Sequence, residues 1–181
     1  MALTIEEARE ILDSMMESPA LRAHVRSVEL VMRALAEHHD EDPETWAVAG
    51  LLHDADYEKW PDEHPKRITA LLEERGEIEI AHAIHCHYTQ WGYECRSLLD
   101  KALLATDELT GLVIAVARLR PNRLQDLTPK SVKKKLKDKA FARGVDRDEV
   151  RIGLELLGVT PDEHIQFIID ALKPYEAEVI V

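Results

Sequence analysis

Thiol chemistry is nearly missing from this chain. Cys86 and Cys95 are its two cysteines, too few for a disulfide framework, and without a second pair of thiols they do not make a structural zinc site. Ordinary reduced cysteines are the expectation. Long apolar runs are missing too: no stretch approaches the roughly 18 residues a membrane span needs, and the first apolar residues are interleaved with Glu6, Glu7, Arg9 and Glu10 rather than gathered as in a signal peptide. A soluble, cytoplasmic protein is therefore expected. Neither a Gly-rich phosphate cradle nor a GxSxG nucleophile turn stands out, and there is no internal repeat or low-complexity tract.

Positive charge is scarce as well. The formal net charge is -12, which disfavours binding to nucleic acid polymers or anionic membranes. Its distribution is uneven. Between Arg118 and Arg151 twelve Lys and Arg stand against five Asp and Glu, a local balance of +7 that leaves -19 for the remainder. A basic segment on an acidic chain suits local attraction of an anionic substrate.

The 181 residues suit one well-buried domain, and the punctuation is helical throughout. Thr4 and Glu7 form a capping box for a helix to about Glu17, Ser18 and Pro19 start a second to about His39, and Asp42 with Pro43 start a third. A helix then follows Pro65 to about Glu74 and is closed by Gly76, and another spans about 77–87. From Ser97 the pattern reads as one long apolar helix or two joined near Gly111. Thr128 with Pro129, Asp146, and Thr160 with Glu163 open three more. Only 176–181 hints at an extended segment. The fold class expected is all-α, a single-domain helical bundle over 1–181, with a core at about 18–119 and a C-terminal helical cover at about 128–175.

Within this frame a few polar residues stand where apolar ones belong. Trp46, Ala47, Val48, Ala49, Leu51 and Leu52 form a run with no polar face, so their helix is buried and its end carries His53 and Asp54 inward. A buried carboxylate must be paired, hydrogen-bonded or bound to a metal. His24 lies in the row Leu21, His24, Val28, Val31, Leu35, and Asp107 extends the row Leu99, Leu103, so each faces inward from an apolar stripe. Taken singly, His24 reads as a core histidine and Asp107 as a helix cap. Together with the His53-Asp54 pair they suggest a metal site.

That sequence of a His, a His-Asp doublet after a small and apolar helix, and a distant Asp resembles the HD-domain superfamily of metal-dependent phosphohydrolases. The segments AGLLHDADYEKWPDEHP, KALLATDELTG and KSVKKKLKDKAFARGV extend the resemblance over nearly the whole chain, toward predicted HD hydrolases with no assigned substrate. The resemblance implies His24, His53, Asp54 and Asp107 as metal ligands. It also implies His64 and His87 as ligands of a second ion, with His85 the runner-up to His87 and Asp54 as the bridge between the two. The cofactor implied is one or two divalent ions of Mn, Fe, Zn, Co, Ni or Mg.

The reaction implied is hydrolysis of a nucleotide or other small phosphoester or phosphoanhydride by metal-activated water, with Asp54 as a catalytic residue. Where many two-metal members have Lys three residues after the doublet, this chain has Tyr57, leaving Lys59 or Glu63 for substrate binding or proton transfer. Tyr57, Arg118, Lys133 and Lys134 are the candidates for contacting substrate, although on composition alone the lysines read first as a solvated helical face and only the resemblance turns them toward a phosphate. No GYP motif follows, which argues against a cyclic dinucleotide phosphodiesterase. Two alternatives carry over: a di-iron oxygenase of the same fold, and a catalytically silent nucleotide-binding regulatory module.

Overall fold

The computed structural model describes residues 2–181. Among them it is all helical: α1 (Ile5–Met15), α2 (Pro19–His38), α3 (Pro43–Leu52), α4 (Lys66–Glu74), α5 (Ile78–His87), α6 (Leu98–Ala117), α7 (Pro129–Lys137), α8 (Arg147–Leu157), α9 (Pro161–Leu172) and a short α10 (Glu176–Val179). No helix among the described residues is long and apolar enough to cross a membrane.

Local chemistry sets most of the boundaries. Thr4 and Glu7 close a reciprocal capping box on α1, as Thr160 and Glu163 do on α9, and Asp42 accepts the Glu44 and Thr45 amides that α3 cannot pair internally. Gly158 ends α8 in the left-handed conformation, φ 75°, that glycine adopts without steric cost. The apolar helix after Ser97 is continuous through Gly111. The tail differs from expectation, because 176–179 coil into α10 rather than extending. No strand edge is present among the described residues to pair an extended segment. As a helix, α10 lets Glu176 accept the Leu124 amide at 2.9 Å, pairs Glu178 with Arg26 and buries Val179 against α2.

Two helices without a polar face form the interior. In α3 every residue from Trp46 to Leu52 is buried, and α6 packs against α2, α3, α5, α7, α8 and α9. A helix apolar all round gains its stability by being enclosed, so α2, α5, α8 and α9 wrap this pair. Two glycines set how closely. A Cβ on Gly50 would lie 2.9 Å from Glu29 Cα and 2.9 Å from Val28 O, so α3 rests on the main chain of α2. A Cβ on Gly153 would lie 2.6 Å from Ala105 Cα, so α8 rests likewise on α6. Gly153→Ala gains about 1 kcal/mol of helix propensity but overlaps backbone that cannot rotate away. A net loss of about 2 kcal/mol is expected, and an unchanged urea midpoint would refute this main-chain contact.

Candidate metal centre

Five parts of the fold deliver side chains to one place. His24 comes from the second turn of α2, His53 caps the C-terminus of α3, and Asp54 follows in the turns leading away from it. His64 stands at the end of those turns, His87 is the last residue of α5, and Asp107 lies midway along α6. The interval 53–65 is braced rather than loose. Tyr57, Trp60 and His64 amides donate back to Asp54, Asp56 and Trp60 carbonyls at 2.9–3.0 Å, and the Trp91 indole N–H donates to His64 O at 2.9 Å. Glu58 ties its outer side to the Glu17 and Ser18 amides at 2.8 and 3.0 Å.

The geometry is that of a divided carboxylate. Asp54 Oδ2 lies 3.4 Å from His53 Nε2 and 3.7 Å from His24 Nε2, while its Oδ1 lies 3.3 Å from His64 Nε2 and 3.5 Å from His87 Nε2. Asp107 Oδ1 joins the first group at 2.9 Å from His24 Nε2 and 3.1 Å from His53 Nε2, and its other oxygen reaches toward His87 at 3.9 Å. Two overlapping sets result, His24, His53, Asp54 and Asp107 on one side and Asp54, His64 and His87 on the other. His53, His64, His87 and Asp107 are buried, whereas His24 and Asp54 are half-buried.

Three of the rings are held by their far nitrogen. His53 Nδ1–H donates to Gly50 O at 2.7 Å, His87 Nδ1–H to Ile84 O at 2.5 Å, and His64 Nδ1–H to Asp56 Oδ1 at 2.7 Å. Each bond keeps the proton on Nδ1, so that Nε2, which faces the carboxylates, is the nitrogen available to a metal, as a metal-binding imidazole requires. Asp56 also accepts the Arg67 and Ile68 amides at 3.0 Å each through Oδ2. It thereby caps α4, whose own N-cap, Pro65, offers no side-chain acceptor.

The cluster's electrostatics follow from crowding. Burial alone would lower the pKa of His53, yet the Asp54 and Asp107 carboxylates beside it raise it well above 6.5. Burial likewise opposes ionisation of Asp54 and Asp107, and the facing imidazoles, His53 foremost, hold both below the usual carboxylate range of 3.8. In the metal-free protein the His53 contribution to stability is therefore complete below its unfolded pKa and lost as pH rises through the folded one. The Asp54 and Asp107 contributions are present above theirs and lost as pH falls through the depressed values.

Four imidazoles, three of them with fixed tautomers, and two carboxylates, with no sulfur, fit one or two divalent ions as a donor set. A bound ion takes the place of the proton on His53, so metal uptake near neutrality should release at least one proton, and affinity should weaken as pH falls. Calorimetric titration in buffers of different ionisation enthalpy reads this directly, and uptake without proton release would overturn the ligand role of His53.

The centre opens into a cavity of about 320 Å³ lined by His24, Asp54, Tyr57, His64, His87, Tyr88, Gln90, Asp107, Glu108, Gly111, Gly144, Asp146 and Glu149. Tyr57 is exposed on its rim, its ring edge-on to His64 at 5.4 Å. Glu149 is buried and accepts the Thr89 amide and hydroxyl at 2.9 and 2.6 Å. Burial raises its pKa, and raises that of Glu108 to about 8 with the Asp107 charge adding to it.

Four residues expected from the sequence, and the runner-up ligand His85, are placed elsewhere. Lys59 points away from the cavity, donating to Ser14 O at 2.9 Å and facing Glu17 at 3.9 Å, because the turns after Asp54 carry it toward α1. Lys133 pairs with Asp162 at 2.5 Å, and Lys134 is exposed to solvent, since α7 uses Val132 to pack and turns its lysines outward. Arg118 borders a separate cavity of about 120 Å³ that shares only His24 and Gly111 with the first. His85 is buried but turned from the centre, stacked on Tyr93 at 4.2 Å between ring centroids and 3.6 Å from Glu73. Asp56, Tyr88, Gln90, Glu108 and Glu149 are site residues that the sequence did not single out. Asp56 alone left a trace, in a helix opened by Pro65 without a capping side chain.

An all-helical core that gathers histidines and aspartates from five segments defines a class, that of helical proteins built around a His/Asp cluster able to hold a metal ion. Sequence comparison narrows it: the model of the HD domain matches residues 21–119, more than half of the chain. The protein belongs to the HD-domain family, within a superfamily of metal-dependent hydrolases. Comparison with curated proteins and with solved structures gives no match.

Proposed function

We propose that the protein is a two-metal phosphohydrolase acting on a small phosphoester or phosphoanhydride, a nucleotide among the candidates. The observation that carries this reading is the division of Asp54, one oxygen to each pair of histidines, on the floor of a cavity open to a small molecule. His24, His53 and Asp107 would hold one ion, His64 and His87 the other, and Asp54 both. When bound, ions there supply Lewis acidity toward a phosphoryl oxygen and make water acidic enough to attack near neutrality. The chain does the rest by position. Asp56 and the Gly50 and Ile84 carbonyls hold three rings in register, and the turns of 53–65 with Trp91 keep His64 in place. Tyr57, Tyr88 and Gln90 offer hydrogen-bonding groups to the part of the substrate that does not react.

The test is a phosphate-release screen over nucleotides and other small phosphoesters, using protein stripped and reloaded with Mn, Fe, Co, Ni, Zn or Mg. Release above the metal-only blank with at least one ion is expected. A fully loaded protein inert across the panel rejects the reading.

One observation favours a second reading. The cavity wall carries Asp54, Asp107, Glu108, Asp146 and Glu149 but no Lys or Arg among the described residues, so no lysine or arginine of the wall meets a phosphate there. A di-iron oxygenase acting on an uncharged or cationic substrate makes no such demand. Oxygen uptake by the iron-loaded protein, without phosphate release, would select it.

A further inference from the structure

We propose that His82, Cys86 and Asp100, joined by Cys95, form a structural zinc site separate from the Asp54 centre. His82 Nδ1 lies 3.0 Å from Asp100 Oδ2 and 3.6 Å from Cys86 Sγ, and Cys86 Sγ donates to the carbonyl of Glu94 at 3.5 Å, which brings the segment holding Cys95 alongside the cluster. Ligand atoms around a tetrahedral zinc stand about 3.3–3.8 Å apart, and those of His82, Cys86 and Asp100 already lie within 4.8 Å of one another, so closing these three on an ion takes only small side-chain movements. One imidazole, one carboxylate and two thiols form a donor set suited to zinc rather than to calcium or magnesium.

A second observation is the state of Asp100, which is 1% exposed. Its Oδ2 is fully used, accepting the Arg96 amide at 2.8 Å, the Ser97 amide at 3.0 Å and the His82 contact. Its Oδ1 is buried and has no hydrogen-bond partner among the described residues. A carboxylate oxygen in that condition costs stability unless a cation or donor meets it. A cavity of about 500 Å³ lined by His82, Arg96, Ser97 and Asp100, among others, gives an ion a way in.

The placement gives the site a purpose. His82 and Cys86 belong to α5, Asp100 begins α6, and Cys95 lies in the segment between them, which also carries Tyr88 and Gln90 to the catalytic cavity. An ion here would staple the ends of the two helices that deliver His87 and Asp107. Two thiols looked insufficient in the sequence because their partners, His82 and Asp100, are recruited only by the fold.

Cobalt titration of the fully reduced, full-length protein tests this. Wild type and Asp54→Ala should both show thiolate-to-cobalt charge-transfer absorption in the near ultraviolet. Cys86→Ser and Cys95→Ser should each lose that absorption and one equivalent of zinc by elemental analysis, while keeping metal at the Asp54 centre. His82→Asn, at a partly exposed position, repeats the test if a cysteine variant does not fold, with loss of the zinc equivalent expected. Reduced wild type without the absorption, or a band that survives in Cys86→Ser, overturns the proposal. So does air oxidation that links Cys86 to Cys95 in a protein whose reduced form shows no thiolate-to-cobalt absorption, an outcome that would mark a redox pair instead.

Discussion

Asp54→Ala should lose both halves of the metal centre at once. Each oxygen of Asp54 serves a different pair of histidines, so no other single side chain in the cluster is shared to the same degree. If the centre holds two ions, as proposed, bound metal there is expected to fall from two equivalents to less than one. Any phosphate release should drop by about 10³-fold or more, since the ions are asked to supply several kcal/mol of transition-state stabilisation. The helices should persist: Asp54 lies beyond the end of α3, and the residues packing α2, α3 and α6 are untouched. Elemental analysis beside circular dichroism separates the outcomes. Stoichiometric metal retained at this centre by a folded Asp54→Ala protein would defeat the assignment.

The second large effect is expected at Asp56. It is fully buried and accepts three hydrogen bonds, from His64 Nδ1 and from the Arg67 and Ile68 amides. Asp56→Ala leaves the His64 and Ile68 donors in the interior without a partner and frees the part-buried Arg67 amide. A loss of about 3 kcal/mol of stability is expected in the metal-free protein. The freed His64 ring should also weaken the His64/His87 half of the centre by about 10–100-fold while sparing the His24/His53 half, because support of this kind orients the ligand it touches. Urea unfolding and metal titration measure the two effects separately. A variant with unchanged unfolding and two unchanged metal affinities would show that Asp56 holds neither α4 nor His64.

The parts of this molecule that could be read in advance are those whose cause is local. Capping boxes such as Thr4 with Glu7 and Thr160 with Glu163 act within one turn, so they mark helix starts from sequence alone. His24 and Asp107 announce themselves because a polar group on an apolar stripe contradicts its own row. His87 and His85 illustrate the limit. Both are buried near the end of α5, and the orientation of that helix against α4 and α6 decides which one meets Asp54. Lys59, Lys133 and Lys134 show the opposite failure, since flexible cations settle on the nearest acceptor and their sequence neighbourhood does not say which. The coiling of 176–179 depended on Glu176 finding the Leu124 amide 52 residues away, a contact no local pattern encodes.

The six donors lie between His24 and Asp107, whereas Gly144, Asp146 and Glu149, which complete the cavity wall, come from the start of α8 and the turn before it, outside the matched stretch at 21–119. Glu149 bridges the two regions through Thr89. The mouth can therefore be recut by exchanging a handful of residues near 144–149 while the chelating floor stays as it is. Such exchanges would alter what fits through the opening and leave the six donors in place.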